Sequence, residues 1–145
     1  MIPSLLLEDL RRRPDLFLWN GPISTSAIRK WEQEQSLCVP APLVGLWTTQ
    51  GGGDLFETET VLQPVGSQDS NLIEPVSRVY WSRGMNPEYY VFHTGVWCSM
   101  FRKMDGVMFC SKSPDFSRMV RLDDLNEWYG LLRAEYAERY LLSGP

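Results

Sequence analysis

LWTTQGGGDLFETETVLQP (Leu46–Pro64) carries the chain from a helical pattern, through three consecutive glycines, into a run rich in Thr, Val and Leu. Upstream of it, Pro40 and Pro42 sit where a first helical turn tolerates proline. Leu43, Leu46 and Trp47 follow at i, i+3, i+4 spacing, which predicts a helix that stops at Gly51. Gly51 falls where a helix C-cap needs positive φ, and Gly52 and Gly53 let the chain turn sharply. From Phe56 to Val65 the period changes, and a strand ended by Pro64 is expected. A phosphate cradle has the opposite order, strand then glycines then helix, so that the helix N-terminus meets the anion. No Lys-Ser or Lys-Thr follows these glycines, and Asp54 would repel phosphate. They are a turn.

Working outward, residues 3 to about 19 read as a helical leader with Leu6, Leu7 and Leu10 on one side, interrupted by Pro14 and ended by Asn20-Gly21-Pro22. This divides the chain into a leader, 1–23, packed on or flanking a single domain, 24–145. Ser24, Thr25 and Ser26 offer N-caps for a helix near 25–36, with Ile28 and Trp31 on its buried face. Beyond the glycine turn lies a polar loop, Gly66 to Asn71. Strand character follows at Arg78–Ser82, Tyr89–Thr94, Val96–Arg102 and Val107–Ser111, with turn signals at Gly84-Met85-Asn86-Pro87 and Asp105-Gly106. A closing helix from about Asp124 to Leu142 starts on a capping-box variant, Asp124 with Glu127. It presents Leu125, Trp128, Leu132 and Tyr136 inward and Glu127, Arg133, Glu135 and Glu138 to water. The expected class is α+β: N-terminal helices, a mainly antiparallel sheet of about five to six strands, and a long C-terminal helix packed on it.

The totals narrow the function. A chain of 145 residues buries about 70% of its unfolded surface, enough for a core without staples. Fourteen basic against eighteen acidic residues, net −4, disfavour nucleic acid, where counterion release rewards Lys and Arg; the charge would attract a basic partner, but a charge of this size is more simply what keeps a protein soluble. The arginine triplet Arg11-Arg12-Arg13 stands beside Glu8, Asp9 and Asp15 and reads as a solvated helix face. Three cysteines without Cys-x-x-Cys spacing, with a single histidine, exclude a disulfide framework and a zinc site. With a two-residue turn at Asp105-Gly106, Phe101 would face Cys110 and Cys98 would point the other way, so the two thiols would not meet. A reducing cytoplasm suits three buried or half-buried thiols. The Leu5-Leu6-Leu7 run precedes its positive charges, the reverse of a secretory signal, and no stretch approaches the roughly 20 apolar residues of a membrane span.

Two places offer catalytic residue types. His93, mid-strand between Phe92 and Thr94, needs an orienting carboxylate and a nucleophile to act as a base, and no Gly-x-Ser-x-Gly elbow is present. A strand histidine satisfied by hydrogen bonds is the simpler expectation. Glu57 and Glu59, alternating with Thr58 and Thr60, are expected to project together from one exposed strand face, as solvated groups or as the acidic side of a binding surface. No cofactor, metal or catalytic set is implied.

Ile28-Arg29-Lys30-Trp31-Glu32, then Leu37-Cys38-Val39-Pro40-Ala41-Pro42-Leu43, Leu46-Trp47 and Gly51-Gly52-Gly53-Asp54-Leu55-Phe56 resemble the SUKH superfamily. Its members are related to a yeast cell-wall synthesis regulator, and many bacterial ones look like immunity proteins. The resemblance covers roughly residues 24–142. It implies an apolar-Pro step between the first two helices, a glycine-rich turn into the first strand, a strand meander and an aromatic-bearing C-terminal helix (Leu125, Trp128). It also implies a non-enzymatic, cytoplasmic binding protein that neutralises a cognate toxin, a nuclease fitting the acidic balance. Candidate partner-binding residues are Asp54, Glu57, Glu59, Asp69, Glu74, Glu88 and Tyr89. A regulatory or scaffold domain without a toxin partner is the alternative, and a pocket in which His93 meets a carboxylate and a nucleophile would revive an enzyme.

Overall fold

The computed structural model describes residues 2–67, 71–112 and 116–142. Helix α1 (Ser4–Arg12), a 3-10 turn (Pro14–Leu16) and strand β1 (Phe17–Trp19) precede α2 (Thr25–Gln35) and α3 (Ala41–Thr49). Strands β2 (Gly53–Leu55) and β3 (Glu59–Val61) follow, then α4 (Ile73–Ser82). Next come β4 (Tyr89–Thr94), β5 (Cys98–Arg102), β6 (Met108–Ser111), β7 (Met119–Leu122) and α5 (Leu125–Tyr136). The strands form one antiparallel sheet in chain order, β1 to β7, and the fold is α+β.

Seven strands exceed the expected five to six, and three local differences account for it. Residues 17–19 are not helical: they form an edge strand on β2, while Leu6 and Leu16 enter the core, so the sheet begins within the leader. The run after the glycines is a hairpin rather than one strand, because Phe56 (φ 54°) and Glu57 (φ 68°) turn the chain in the left-handed region. Phe56 accepts that conformation because it is fully buried, its ring 4.8 Å from Tyr136 and 5.6 Å from Phe17. Short β7, with Val120 and Arg121 exposed, carries little apolar pattern.

In the other direction, Arg78–Ser82 is helix, not strand. Tyr80 and Trp81 have strand propensity, but Ile73, Val76, Ser77, Tyr80 and Trp81 recur at helical spacing and form the packed stripe of α4. Since β3 pairs with β4 only at His93 and Thr94, the remaining edge of β4 is open. Helix α4 closes it: Ser77 Oγ accepts the Val91 N–H at 2.8 Å, and Trp81 Nε1 donates to the Tyr89 carbonyl at 2.7 Å.

The glycine turn has a packing reason beyond the cap. Gly51 has φ 79°, and a Cβ there would lie 2.0 Å from the Gly21 carbonyl oxygen; one on Gly53 would lie 2.3 Å from that of Leu18. Residues 18–21 run directly against the glycines, through Asn20 N–H to Gly52 O (2.8 Å) and Gly21 N–H to Gln50 O (3.0 Å). The Gly51 amide goes to Trp47 O and the Gly52 amide to Gln63 Oε1.

Helices α2 and α5 start as expected, Ser24 Oγ accepting from Ala27 N–H and Asp124 Oδ1 from Glu127 N–H. Leu125, Trp128, Leu132 and Tyr136 are buried, but so is Arg133, which does not face water. Its guanidinium binds Asp9 of α1, Nε at 2.6 Å from Oδ2, and the Tyr129 hydroxyl donates to the same oxygen at 2.5 Å. Asp9, 3% exposed, is therefore a clasp between α1 and α5, not part of a solvated face. Five residues (103–107) join β5 to β6 rather than a two-residue turn, so Ser99, not Phe101, lies opposite Cys110 and Cys98 lies opposite Ser111. The two thiols still point to opposite faces, and all three cysteines are free, with Cys38 exposed rather than buried. Among the described residues, no helix is long and apolar enough to cross a membrane.

Candidate functional site

Glu59 is the most informative of the candidate residues because it is not on the surface. Leu55 pairs with Glu59, Val61 with His93 and His93 with Ser99, so the register turns Glu59, His93 and Ser99 toward the face covered by α5. A bulge between Val91 and His93 aligns the histidine with Ser99. His93 Nε2 lies 2.9 Å from Glu59 Oε1, His93 Nδ1 2.8 Å from Ser99 Oγ, and Trp128 Nε1 3.1 Å from the same Oγ. The donor inventory assigns the protons. An ionised carboxylate only accepts, so His93 Nε2 donates to Glu59; in the neutral ring Nδ1 then accepts the Ser99 hydrogen, and Ser99 Oγ accepts from the Trp128 indole N–H. The carboxylate also accepts the Val96 N–H, at 3.0 and 3.1 Å to its two oxygens, and the Tyr136 hydroxyl. Thr58 Oγ1 lies 2.8 Å from the Tyr136 oxygen.

Burial raises the Glu59 carboxyl, but the donors His93, Tyr136 and Val96 outweigh it and hold the pKa below its ordinary value. Burial lowers the His93 imidazole, and the pull of Glu59 does not reverse this. The pair is a carboxylate beside a neutral imidazole.

Hydroxyl, imidazole and carboxylate in one chain have the composition of a nucleophilic triad. Two features set this one apart. The ring is reversed, with serine on Nδ1 and carboxylate on Nε2, where hydrolytic triads place serine on Nε2. And Ser99 and His93 are 0% exposed and Glu59 1%, with Gly95 lying against the carboxylate so closely that a Cβ there would come within 2.1 Å of Oε1. A substrate carbonyl has no path to Ser99 Oγ. The hydrogen bonds tie β3, β4, β5 and α5 together and pin the Gly95–Val96 turn.

The partner-binding candidates do not form one patch. Glu57 is exposed at the β2–β3 tip, not beside Glu59 on a strand face, because the hairpin turn intervenes. Asp54 is half-buried on the face away from α5 and accepts from Thr60 Oγ1 at 3.1 Å. Tyr89 lies at the other end of β4, five residues from Thr94 and about 17 Å along the strand, with Glu88 just before it. Tyr89 packs edge-on against Phe109 at 5.7 Å. Glu74, in the first turn of α4, holds Arg78 at 2.7 Å and Gln35 Nε2 at 3.1 Å. Asp69 lies outside the described residues. Ser99 had no motif to mark it; the only cue was a strand position that could face His93 once the register was known.

Among the described residues, no three His, Cys, Asp or Glu side chains gather to hold a metal ion. No protein-family model matches the chain, and no curated protein matches it significantly.

Proposed function

We propose that this is a non-enzymatic protein-binding domain of SUKH type, a cytoplasmic immunity protein that neutralises a cognate bacterial toxin by direct contact. The observation that carries this reading is the sealed Ser99–His93–Glu59 chain: the residues with catalytic geometry are satisfied by one another inside the core. The helix–glycine–strand order and the α5 helix on an antiparallel meander support the SUKH resemblance. Exposed Glu57 and Glu88 and a net charge of −4 suit a basic partner such as a nuclease, whose encounter electrostatic steering would speed.

Co-expression with the product of each neighbouring gene tests the proposal. Rescue of growth together with a stable complex is expected. Absence of both for every neighbour would overturn it, and a complex formed without rescue would point to the scaffold alternative.

A further inference from the structure

We propose that the cleft between the C-terminal end of α4 and the β4–β5 turn is the anchor point of the binding surface, and that it receives a carboxylate side chain of the protein partner. This rests on the protein-binding reading above. The cleft encloses about 300 Å³ and is walled by Tyr80, Arg83, Val96, Trp97, Lys112 and Phe116. Cys98 and Ser111 form its floor on the sheet face turned away from α5.

The charge pattern decides the ligand class. Arg11, Arg12, Arg13, Arg29, Arg78, Arg102 and Arg133 each face a carboxylate within 3.0 Å. Lys30, Arg83, Lys103, Lys112, Arg118, Arg121 and Arg139 have no carboxylate partner among the described residues; of these, Arg83 and Lys112 line this cleft together, and no described acidic residue lines it. In a chain of net charge −4, two cations that share one cleft and meet no carboxylate among the described residues mark a local reversal of sign. Lys112 Nζ is held 4.8 Å over the Trp97 ring, and Tyr80 packs edge-on against Phe116 at 5.6 Å, so the walls are ordered before a partner arrives. Val96, 49% exposed at the rim, adds apolar contact for a protein surface. Tyr, Trp and Arg around a small pocket are the residue types on which binding energy concentrates.

The buried network prepares this cleft. Glu59 grips the Val96 N–H with both oxygens and lies against Gly95, fixing the turn that forms one wall. Its negative charge is met on the core side by His93 and Tyr136.

The test is an NMR titration of the ¹⁵N-labelled full chain with N-acetyl-aspartyl methylamide, its asparaginyl analogue and inorganic phosphate. Saturable shifts at Gly95–Trp97 and Lys112 are expected with the aspartyl probe and none with the asparaginyl one. Arg83→Gln and Lys112→Gln, both at exposed positions, should each weaken binding roughly tenfold, as loss of a charge-assisted hydrogen bond does. Lys30→Gln, an exposed change on α2, should leave the titration unaltered. Equal shifts with the asparaginyl probe, unsaturable shifts, binding of phosphate alone, or indifference to both glutamine variants would overturn the assignment. Aspartyl binding without toxin rescue would reject neutralisation alone, and rescue without aspartyl binding would reject the cleft alone.

Discussion

Lowering the pH from 7 to 5 titrates, in this chain, a single imidazole, since His93 is the only histidine. Burial holds its pKa in the folded state below the ordinary value of about 6.5. Between the folded and unfolded values the unfolded chain binds the proton and the folded chain does not. Acidification therefore favours unfolding, and the stability supplied by neutral His93 is complete above about pH 6.5 and lost as the pH falls below it. The limiting slope is about 1.4 kcal/mol per pH unit, which puts the ceiling near 2 kcal/mol at pH 5.

The hydrogen-bond chain gives a structural reason for the sign. If His93 is protonated, Nδ1 becomes a donor, and Ser99 Oγ must accept from both Trp128 and His93. The hydroxyl hydrogen then loses its acceptor in a site with 0% exposure, a cost of about 1–3 kcal/mol. Glu59 adds a second arm at lower pH. Its depressed pKa contributes stability above the ordinary carboxyl value of about 4.3, lost as the pH falls through the folded value.

Urea unfolding followed by tryptophan fluorescence at half-unit steps from pH 7.5 to 4.5 measures this. Wild-type stability should decline below about pH 6.5. His93→Gln should be less stable throughout and flat between pH 7 and 5. A flat wild-type profile in that interval, or an unchanged slope in His93→Gln, would refute the assignment of a neutral buried imidazole.

Gly51→Ala places a methyl 2.0 Å from the Gly21 carbonyl oxygen at φ 79°, and chemical denaturation should show a loss above about 2 kcal/mol. Asp9→Ala leaves Arg133 buried without its carboxylate and should cost about 3–5 kcal/mol, whereas exposed Glu57→Gln should stay within about 0.5 kcal/mol of wild type. In the native chain one thiol should react rapidly with a disulfide reagent. Cys38 is exposed, while Cys98 is buried with its pKa pushed up to about 12 and Cys110 is buried with its pKa also raised; three fast thiols would contradict the packing.

Much of the fold was legible because it is written in local patterns. Proline at the head of α3, Leu43, Leu46 and Trp47 on its buried face, Gly51 at its end and the Ser24 and Asp124 caps all act within a turn or two of chain. Strand β4 matches the expected Tyr89–Thr94 because aromatic and β-branched residues there are continuous. The errors fell where local preference met a competing demand. Tyr80 and Trp81 prefer strands, but the β4 edge needs Ser77 and Trp81 from a helix to satisfy it. Phe56 and Glu57 lack turn chemistry, yet the rings around Phe56 hold them at positive φ.

The polar groups divide along the same line. Residue spacing sufficed for the α+β class, the glycine turn and its mismatch with a phosphate cradle, since those follow from short-range sterics and hydrogen bonding. It misjudged Glu59, Asp9 and Arg133, which look like surface charge until partners 34, 120 and 124 residues away in the chain close around them. A charge enters a core when specific donors replace water, and which donors arrive depends on strand register and helix docking. The same register hid the Ser99–His93–Glu59 chain and gathered Arg83, Trp97 and Lys112 around one cleft, because neither arrangement exists until β4, β5, β6 and α4 are side by side.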